Sequence, residues 1–374
     1  MILTNCAACA TSLAHDAPRC VRCKTRYCNS TCQHDHWRRG HKQICKRMHR
    51  GGNAQKYHAD TKYKEAVAEA AEACADDTKG QTCYICTEAL HWKTKEGLVR
   101  GCACRGTAGV AHVSCLAEQA KILFAEAEEN NVDVKAKNER LNRWHKCSLC
   151  EQDYHGVVQC ALGWASWKTY VGRPEEDQVR GCAMTKLGNG LSEAGHDEDA
   201  LSVKEAELSE LRRLGAPEMK ILAVQGNLAN TYQSLGRLND ALRTRQDVYS
   251  GKLRLYGEDN KLTLLEAFNY ATLFCALKRF EEAKSLLRKN IPVARRVLRE
   301  SDEIILRMRC AYAVALYKDD GAPLDDLREA VDTLEETAPK ARRVLGSAHP
   351  LVEEIRNDLR RSRATLAAAR ETPP

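Results

Sequence analysis

The chain has 374 residues, of which 43% are hydrophobic, 6% aromatic and 29% charged, with a formal net charge of +7. That length suits two or three domains, no apolar run approaches the roughly 18 residues that span a bilayer, and the start, Met1 to Cys6, lacks a basic region followed by an apolar stretch, so neither a membrane nor a secreted protein is expected. In the cytosol or nucleus, where a soluble chain of this kind is expected to reside, thiols stay reduced, so the 19 cysteines raise the question of metal rather than of disulfides.

The first segment, 1–50, is rich in Cys, His and Arg. Its donors run Cys6-x2-Cys9-x10-Cys20-x2-Cys23-x4-Cys28-x3-Cys32-x8-His41-x3-Cys45. A Cys-x2-Cys turn folds back over one metal and offers it two thiolates, so four donor pairs make two tetrahedra. A segment this short has too little apolar mass to fold alone, and metal would supply on the order of 10 kcal/mol of folding free energy per site. Residues 1–60 hold 11 Lys and Arg against 3 Asp and Glu, leaving about +8 there and −1 elsewhere. No helix with a regular Arg/Lys and aromatic stripe stands out, so this charge reads as a solvated finger surface and nucleic acid is not expected as a partner.

This pattern resembles the MYND zinc finger over about 40 residues, through Tyr27-Cys28, Cys32-Gln33, Trp37 and His41-Lys42-x2-Cys45. The resemblance implies an interleaved topology. Cys6, Cys9, Cys28 and Cys32 would hold one zinc, and Cys20, Cys23, His41 and Cys45 the other. It also implies a groove for short proline-containing peptides, with Trp37 as the candidate groove residue. His34 and His36 are spare and read as solvent-facing.

Residues 51–78, rich in Ala, Glu and Lys, read as a helical linker. A second series follows within 79–156: Cys83-x2-Cys86-x15-Cys102-x-Cys104-x7-His112-x2-Cys115-x31-Cys147-x2-Cys150. Again there are eight donors in four pairs, so the two series together offer sixteen ligands for about four structural zinc ions. Order and spacing resemble the RING-CH (RINGv) finger of certain ubiquitin ligases, through Cys102-x-Cys104-Arg105-Gly106, His112-x2-Cys115-Leu116 and Trp144-x2-Cys147-x-Leu149-Cys150. A PHD finger shares the Cys/His order, but the one-residue gap between Cys102 and Cys104 argues against it. The resemblance implies a cross-brace, with Cys83, Cys86, His112 and Cys115 on one zinc and Cys102, Cys104, Cys147 and Cys150 on the other. It further implies docking of a ubiquitin-conjugating enzyme on Ile85, Trp144 and Leu149. Three features depart from the family. The gap from Cys115 to Cys147 is long and holds a charged stretch, Glu126 to Arg143, that reads as one helix. Glu151 follows the last ligand, where active ligases often carry a basic residue. Finally, no transmembrane helix accompanies the finger.

Residues 157–180 read as a bridging helix, with Trp164, Trp167 and Tyr170 spaced for a core stripe. From 181 to 370 an internal repeat takes over. Ala200, Ala241 and Ala283 recur at spacings of 41 and 42, each after a polar turn, and helices with small residues precede the turns. A small residue lets two helices approach closely, which is the logic of a stacked helical hairpin. The repeat resembles the tetratricopeptide repeat (TPR) of the kinesin-light-chain type, at about 181–217, 222–259 and 264–301, with a degenerate fourth at 303–347 and a capping helix after Pro350. Arg243, Arg245, Lys252 and Arg254 read as a solvated face.

The expected fold is mainly α: two small zinc-stabilised cross-brace fingers at the N-terminus and a C-terminal α-helical TPR-like solenoid. The expected function is a zinc-binding multidomain adaptor acting as a RING-type ubiquitin-protein ligase without a covalent intermediate. Its second finger would recruit the conjugating enzyme, while the TPR groove and the MYND finger take target proteins or peptides. No side chain is expected to do covalent catalysis. The alternatives are a non-enzymatic interaction scaffold and, third, a nucleic-acid-binding regulator using the basic first finger.

Overall fold

The computed structural model describes residues 5–11, 13–14, 16–346 and 349–371. The tail after Glu371, which the sequence suggests is frayed, lies outside the described residues. These form no strand, only helices, turns and isolated bridges, and they group into two compact units, Met1–Ala216 and Pro217–Pro374.

The first unit begins with turns that repeat one design. At each Cys-x2-Cys step the residue five places along, counting the first cysteine as one, donates its N–H to that cysteine's carbonyl: Ala10 to Cys6, Lys24 to Cys20, Thr87 to Cys83 and Glu151 to Cys147, at 2.8–3.1 Å. All four stand in the left-handed region, with φ between 56° and 65°. None is glycine, so each turn carries a conformational cost that its surroundings must offset. His91 to Lys95 copies the same bond and the same positive φ, with His91 and Thr94 in the places of the two cysteines.

Helix α1 (Ser30–His36) is capped by Asn29, whose side chain accepts from the Cys32 N–H. A bend at Gly40 (φ 128°) leads into α2 (Lys42–Arg50). Helix α3 (Ala54–Ala73) starts on an Asn53 cap and buries Ala59, Tyr63, Ala66, Val67 and Ala70. That spacing of small residues is one helical face, and it packs on α6 (Gly156–Tyr170). The segment between the fingers is therefore part of the core of this unit.

The stretch between Cys115 and Cys147 is not one helix. Helix α4 (Val113–Glu129) ends at Asn130 and Asn131, the latter at φ 48°, and α5 (Val134–Leu141) restarts on an Asp133 cap. Asn tolerates the left-handed turn and Asp the cap, and both override the charged-helix pattern. Helix α6 is apolar nearly all round because α3 and α7 (Gln178–Glu193) cover it from two sides. Its approach to α7 is set by glycines. A Cβ at Gly163 would lie 3.0 Å from the Leu187 Cα, and one at Gly190 would lie 2.7 Å from the Gln159 carbonyl. Helix α8 (Asp197–Arg213) completes a hairpin with α7.

The second unit is a TPR-like helical solenoid. The hairpin α9 (Glu218–Ser234)/α10 (Leu238–Tyr256) is followed by α11 (Lys261–Ala276)/α12 (Phe280–Val297) and α13 (Glu303–Tyr317)/α14 (Leu324–Leu345). Helix α15 (Pro350–Glu371) lies against α13 and α14. Ala229, Ala241, Ala271 and Ala283 are completely buried, as close helix approach requires. The turns place Gly236 and Lys278 at φ 70° and 58°.

Of the basic residues of α10, Arg243 and Arg254 are exposed as a solvated face requires, while Arg245 and Lys252 turn inward. Arg245 is buried and donates to Glu266 at 2.7 Å, and Lys252 reaches the same carboxylate at 2.8 Å. Arg243 pairs with Asp240, and Arg254 with Glu218. Helical periodicity gave the positions of these cations, but their carboxylates come from neighbouring turns and helices.

Candidate metal centres

The structure brings the sixteen donors into four groups, and within each group all ligand atoms lie within 4.8 Å of one another. The groups are Cys6, Cys9, Cys28 and Cys32; Cys20, Cys23, His41 and Cys45; Cys83, Cys86, His112 and Cys115; and Cys102, Cys104, Cys147 and Cys150. Each finger interleaves its donors, so a pair from one turn meets a pair from a distant segment.

The distances fit zinc. A tetrahedron with Zn–S bonds near 2.3 Å has edges of about 3.8 Å, and a Zn–N bond near 2.0 Å shortens the S···N edge to about 3.5 Å. Observed Sγ···Sγ separations are 3.4 Å for Cys9–Cys28 and 3.8 Å for Cys9–Cys32, Cys20–Cys45 and Cys104–Cys147. His41 presents Nε2 to the Cys23 Sγ at 3.3 Å, and His112 presents Nδ1 to Cys86 and Cys115 at 3.3 and 3.7 Å. A disulfide would need about 2.05 Å, and every cysteine is free. Without a dication the thiols resist ionising together: the Cys9 contact pushes Cys28 up to about 12, and burial, then Cys20, pushes Cys45 up to about 12. The four Cys/His clusters are compatible with structural zinc. With four protein donors each, they leave no coordination position for catalysis.

Surrounding groups fix the donors. The Ile85 and Leu149 N–H groups each point at the preceding cysteine's sulfur, Cys83 and Cys147, at 3.4 Å. The second ring nitrogen of His112 is 3.4 Å from the Ala89 carbonyl, an outer-shell contact that selects its tautomer. Gly109 was not singled out from the sequence, yet it is built into the Cys102 group. Its φ is 75°, and a Cβ there would lie 2.6 Å from the Cys104 Cβ and 2.9 Å from the Cys102 Sγ. The only sequence signal is a glycine in the seven-residue stretch between Cys104 and His112.

The non-ligand candidates separate. Trp37 is 39% exposed and meets the His41 ring edge-on at 5.9 Å. His34 is exposed, while His36 is half-buried: its Nδ1 lies 2.9 Å from the Tyr27 hydroxyl, and its ring stacks on His41 at 4.7 Å. Ile85 and Leu149 are 37% and 52% exposed. Trp144 corrects the expected docking surface. It is 1% exposed and packs edge-on against Tyr170 of α6 at 5.7 Å, so α6 takes this side chain out of the expected docking surface and leaves Ile85 and Leu149. Glu151 occupies the left-handed corner of the last knuckle and pairs with Arg143 at 2.8 Å. Cys310, Glu354 and Asp358 form a fifth cluster. There the Asp358 carboxylate already accepts from the Cys310 thiol and the Tyr317 hydroxyl, so hydrogen bonding accounts for it.

This combination defines a zinc-binding protein-interaction adaptor: a metal-stabilised finger joined to TPR hairpins. The family profile described as the MYND finger matches residues 6–45, and that described as the tetratricopeptide repeat matches residues 221–260. Ubiquitin carboxyl-terminal hydrolase 17 of Arabidopsis thaliana is 54% identical over 39 residues, 10% of this chain and 5% of that protein. Ubiquitin C-terminal hydrolase 15 of Oryza sativa subsp. japonica is 47% identical over 47 residues, 12% of this chain and 5% of that one. The chain thus spans a small fraction of the length of either relative. Among solved structures, a putative kinesin light chain of Podosopora anserina with nearly identical TPR-like repeats matches at 18% identity and a TM-score of 0.41, covering 63% of this chain and 98% of that one. No helix among the described residues is long and apolar enough to cross a membrane.

Proposed function

We propose that the second finger of this adaptor recruits a ubiquitin-conjugating enzyme, so that the protein acts as a RING-type ubiquitin-protein ligase while its TPR hairpins and MYND finger select the target. Such a ligase makes no covalent bond itself. It holds the charged conjugating enzyme beside its target, and its contribution is proximity and orientation.

The observation that carries this reading is a pair of apolar side chains on two coupled knuckles. The Tyr84 and Ser148 hydroxyls stand 3.2 Å apart, tying the Cys83–Cys86 turn to the Cys147–Cys150 turn. One residue beyond each partner, Ile85 and Leu149 remain exposed. Two zinc sites hold these turns in place, so the surface is preorganised and costs little ordering entropy on binding.

A second reading, the non-enzymatic scaffold, is favoured by the burial of Trp144 and the engagement of Glu151 by Arg143. Autoubiquitination with a broad panel of conjugating enzymes separates the two. The ligase reading expects chains from the zinc-loaded wild type and none from Ile85→Ala at unchanged zinc content. Absence of chains with every enzyme, from folded zinc-loaded protein, leaves the scaffold. Chains that persist in Ile85→Ala and Leu149→Ala place the docking surface elsewhere and reject the carrying observation.

A further inference from the structure

Helix α2 turns three of its cations to one exposed edge. Lys42, Lys46 and Arg50 recur every four residues and all are exposed. They therefore form a ladder on one edge of the helix with steps of about 6 Å. The same helix turns Cys45 and Met48 inward, where both are buried. None of the three cations meets a carboxylate among the described residues. By contrast, Arg39 is held by Asp35 at 3.9 Å and Arg47 lies 5.9 Å over the Tyr57 ring. Upstream of the Gly40 bend, exposed Arg38 and the partly exposed Trp37 stand four and five residues before Lys42. Asp35 is the only acidic residue between positions 17 and 59.

We propose that this edge of the first finger binds single-stranded nucleic acid, with backbone phosphates on Lys42, Lys46 and Arg50 and a base against Trp37. The inference is independent of the ligase reading. Evenly spaced cations with no carboxylate partner among the described residues suit a partner whose binding is driven by charge density. Nucleic acid supplies that drive through its condensed counterions, which are released when Lys and Arg neutralise phosphates. An acidic protein segment has a lower charge density and no condensed counterion atmosphere to release, so the same three cations would gain less from it. A partly exposed tryptophan five residues before Lys42 favours a single strand over a duplex, because only unpaired bases present a face for stacking.

The test uses the full zinc-loaded chain and fluorescence anisotropy with labelled oligouridine, oligothymidine and a duplex, with polyglutamate as competitor. Single strands bind, with affinity that falls steeply with salt. In the variant Lys42→Gln/Lys46→Gln/Arg50→Gln the slope of log affinity against log salt is smaller by about 2, since each single-strand phosphate contact contributes about 0.7. Between 50 and 200 mM salt the wild type then loses about twentyfold more affinity than the variant. Trp37→Ala weakens binding at unchanged slope. The charge-preserving variant Lys42→Arg/Lys46→Arg/Arg50→Lys keeps the wild-type slope. Should the triple Gln variant lose zinc, the single variants, each expected to lower the slope by about 0.7, carry the test. The proposal is overturned by an absence of salt-dependent binding, by a slope that the Gln substitutions leave unchanged, by a preference for duplex, or by polyglutamate competing as well as an unlabelled single strand. That last outcome would assign the ladder to an acidic protein.

Discussion

Among the described residues of the first finger, Tyr27, Met48 and Ala54 alone join the cysteines in the buried cluster. Helices α11 to α15, in contrast, gather a continuous apolar core around Leu264, Ile305, Leu316 and Leu334. The fingers bend the backbone into left-handed turns at Ala10, Lys24, Thr87 and Glu151, while the solenoid keeps nearly all its residues in regular helix. The fingers thus tolerate local strain because coordination offsets it. The solenoid tolerates buried ions such as Arg245 and Glu266 because neighbouring helices supply partners of opposite charge.

The comparison is broken most strongly by removing metal. Chelation should unfold the two fingers, since each structural site contributes on the order of 10 kcal/mol. Amide exchange should lose protection at residues 20–28 and 83–115 while 264–316 stay protected. Equal loss in both regions would mean that the solenoid depends on metal too. A narrower break is Gly109→Ala, whose Cβ collides with the Cys102 and Cys104 side chains at an unfavourable φ. We expect bound zinc, counted by elemental analysis, to drop from about four to about three equivalents.

On the solenoid side, Glu266→Ala leaves the Arg245 guanidinium buried without its carboxylate. A cost of about 3–5 kcal/mol is expected in the denaturant-unfolding free energy of the helical repeats, with zinc content unchanged. The smallest effect is a gain. Lys278 holds a left-handed turn position that glycine fills at the equivalent Gly236. Lys278→Gly removes the Cβ strain at some entropic cost, and should stabilise by about 0.5–1 kcal/mol. A loss of stability there would show that the Lys278 side chain matters more than its backbone.

Much of the site was legible because ligand chemistry is written in residue type and spacing. The sixteen donors and the 41–42-residue recurrence of Ala200, Ala241 and Ala283 could be read from type and spacing, while the sorting of donors into particular fours came from the finger resemblances. Trp144 could not be placed that way, because its burial depends on α6, a helix that begins twelve residues downstream. The same holds for the Arg245–Glu266 pair, separated by 21 residues, and for Gly109, whose role exists only once Cys102 and Cys104 have closed around it. The Lys42, Lys46 and Arg50 ladder was present as letters, but only the α2 helix showed which edge faces outward. Sequence alone determined which atoms can bind metal and where helices repeat, since those depend on side-chain chemistry and local period. Tertiary structure alone decided which apolar and charged groups are left at the surface, since burial is a property of what another segment covers.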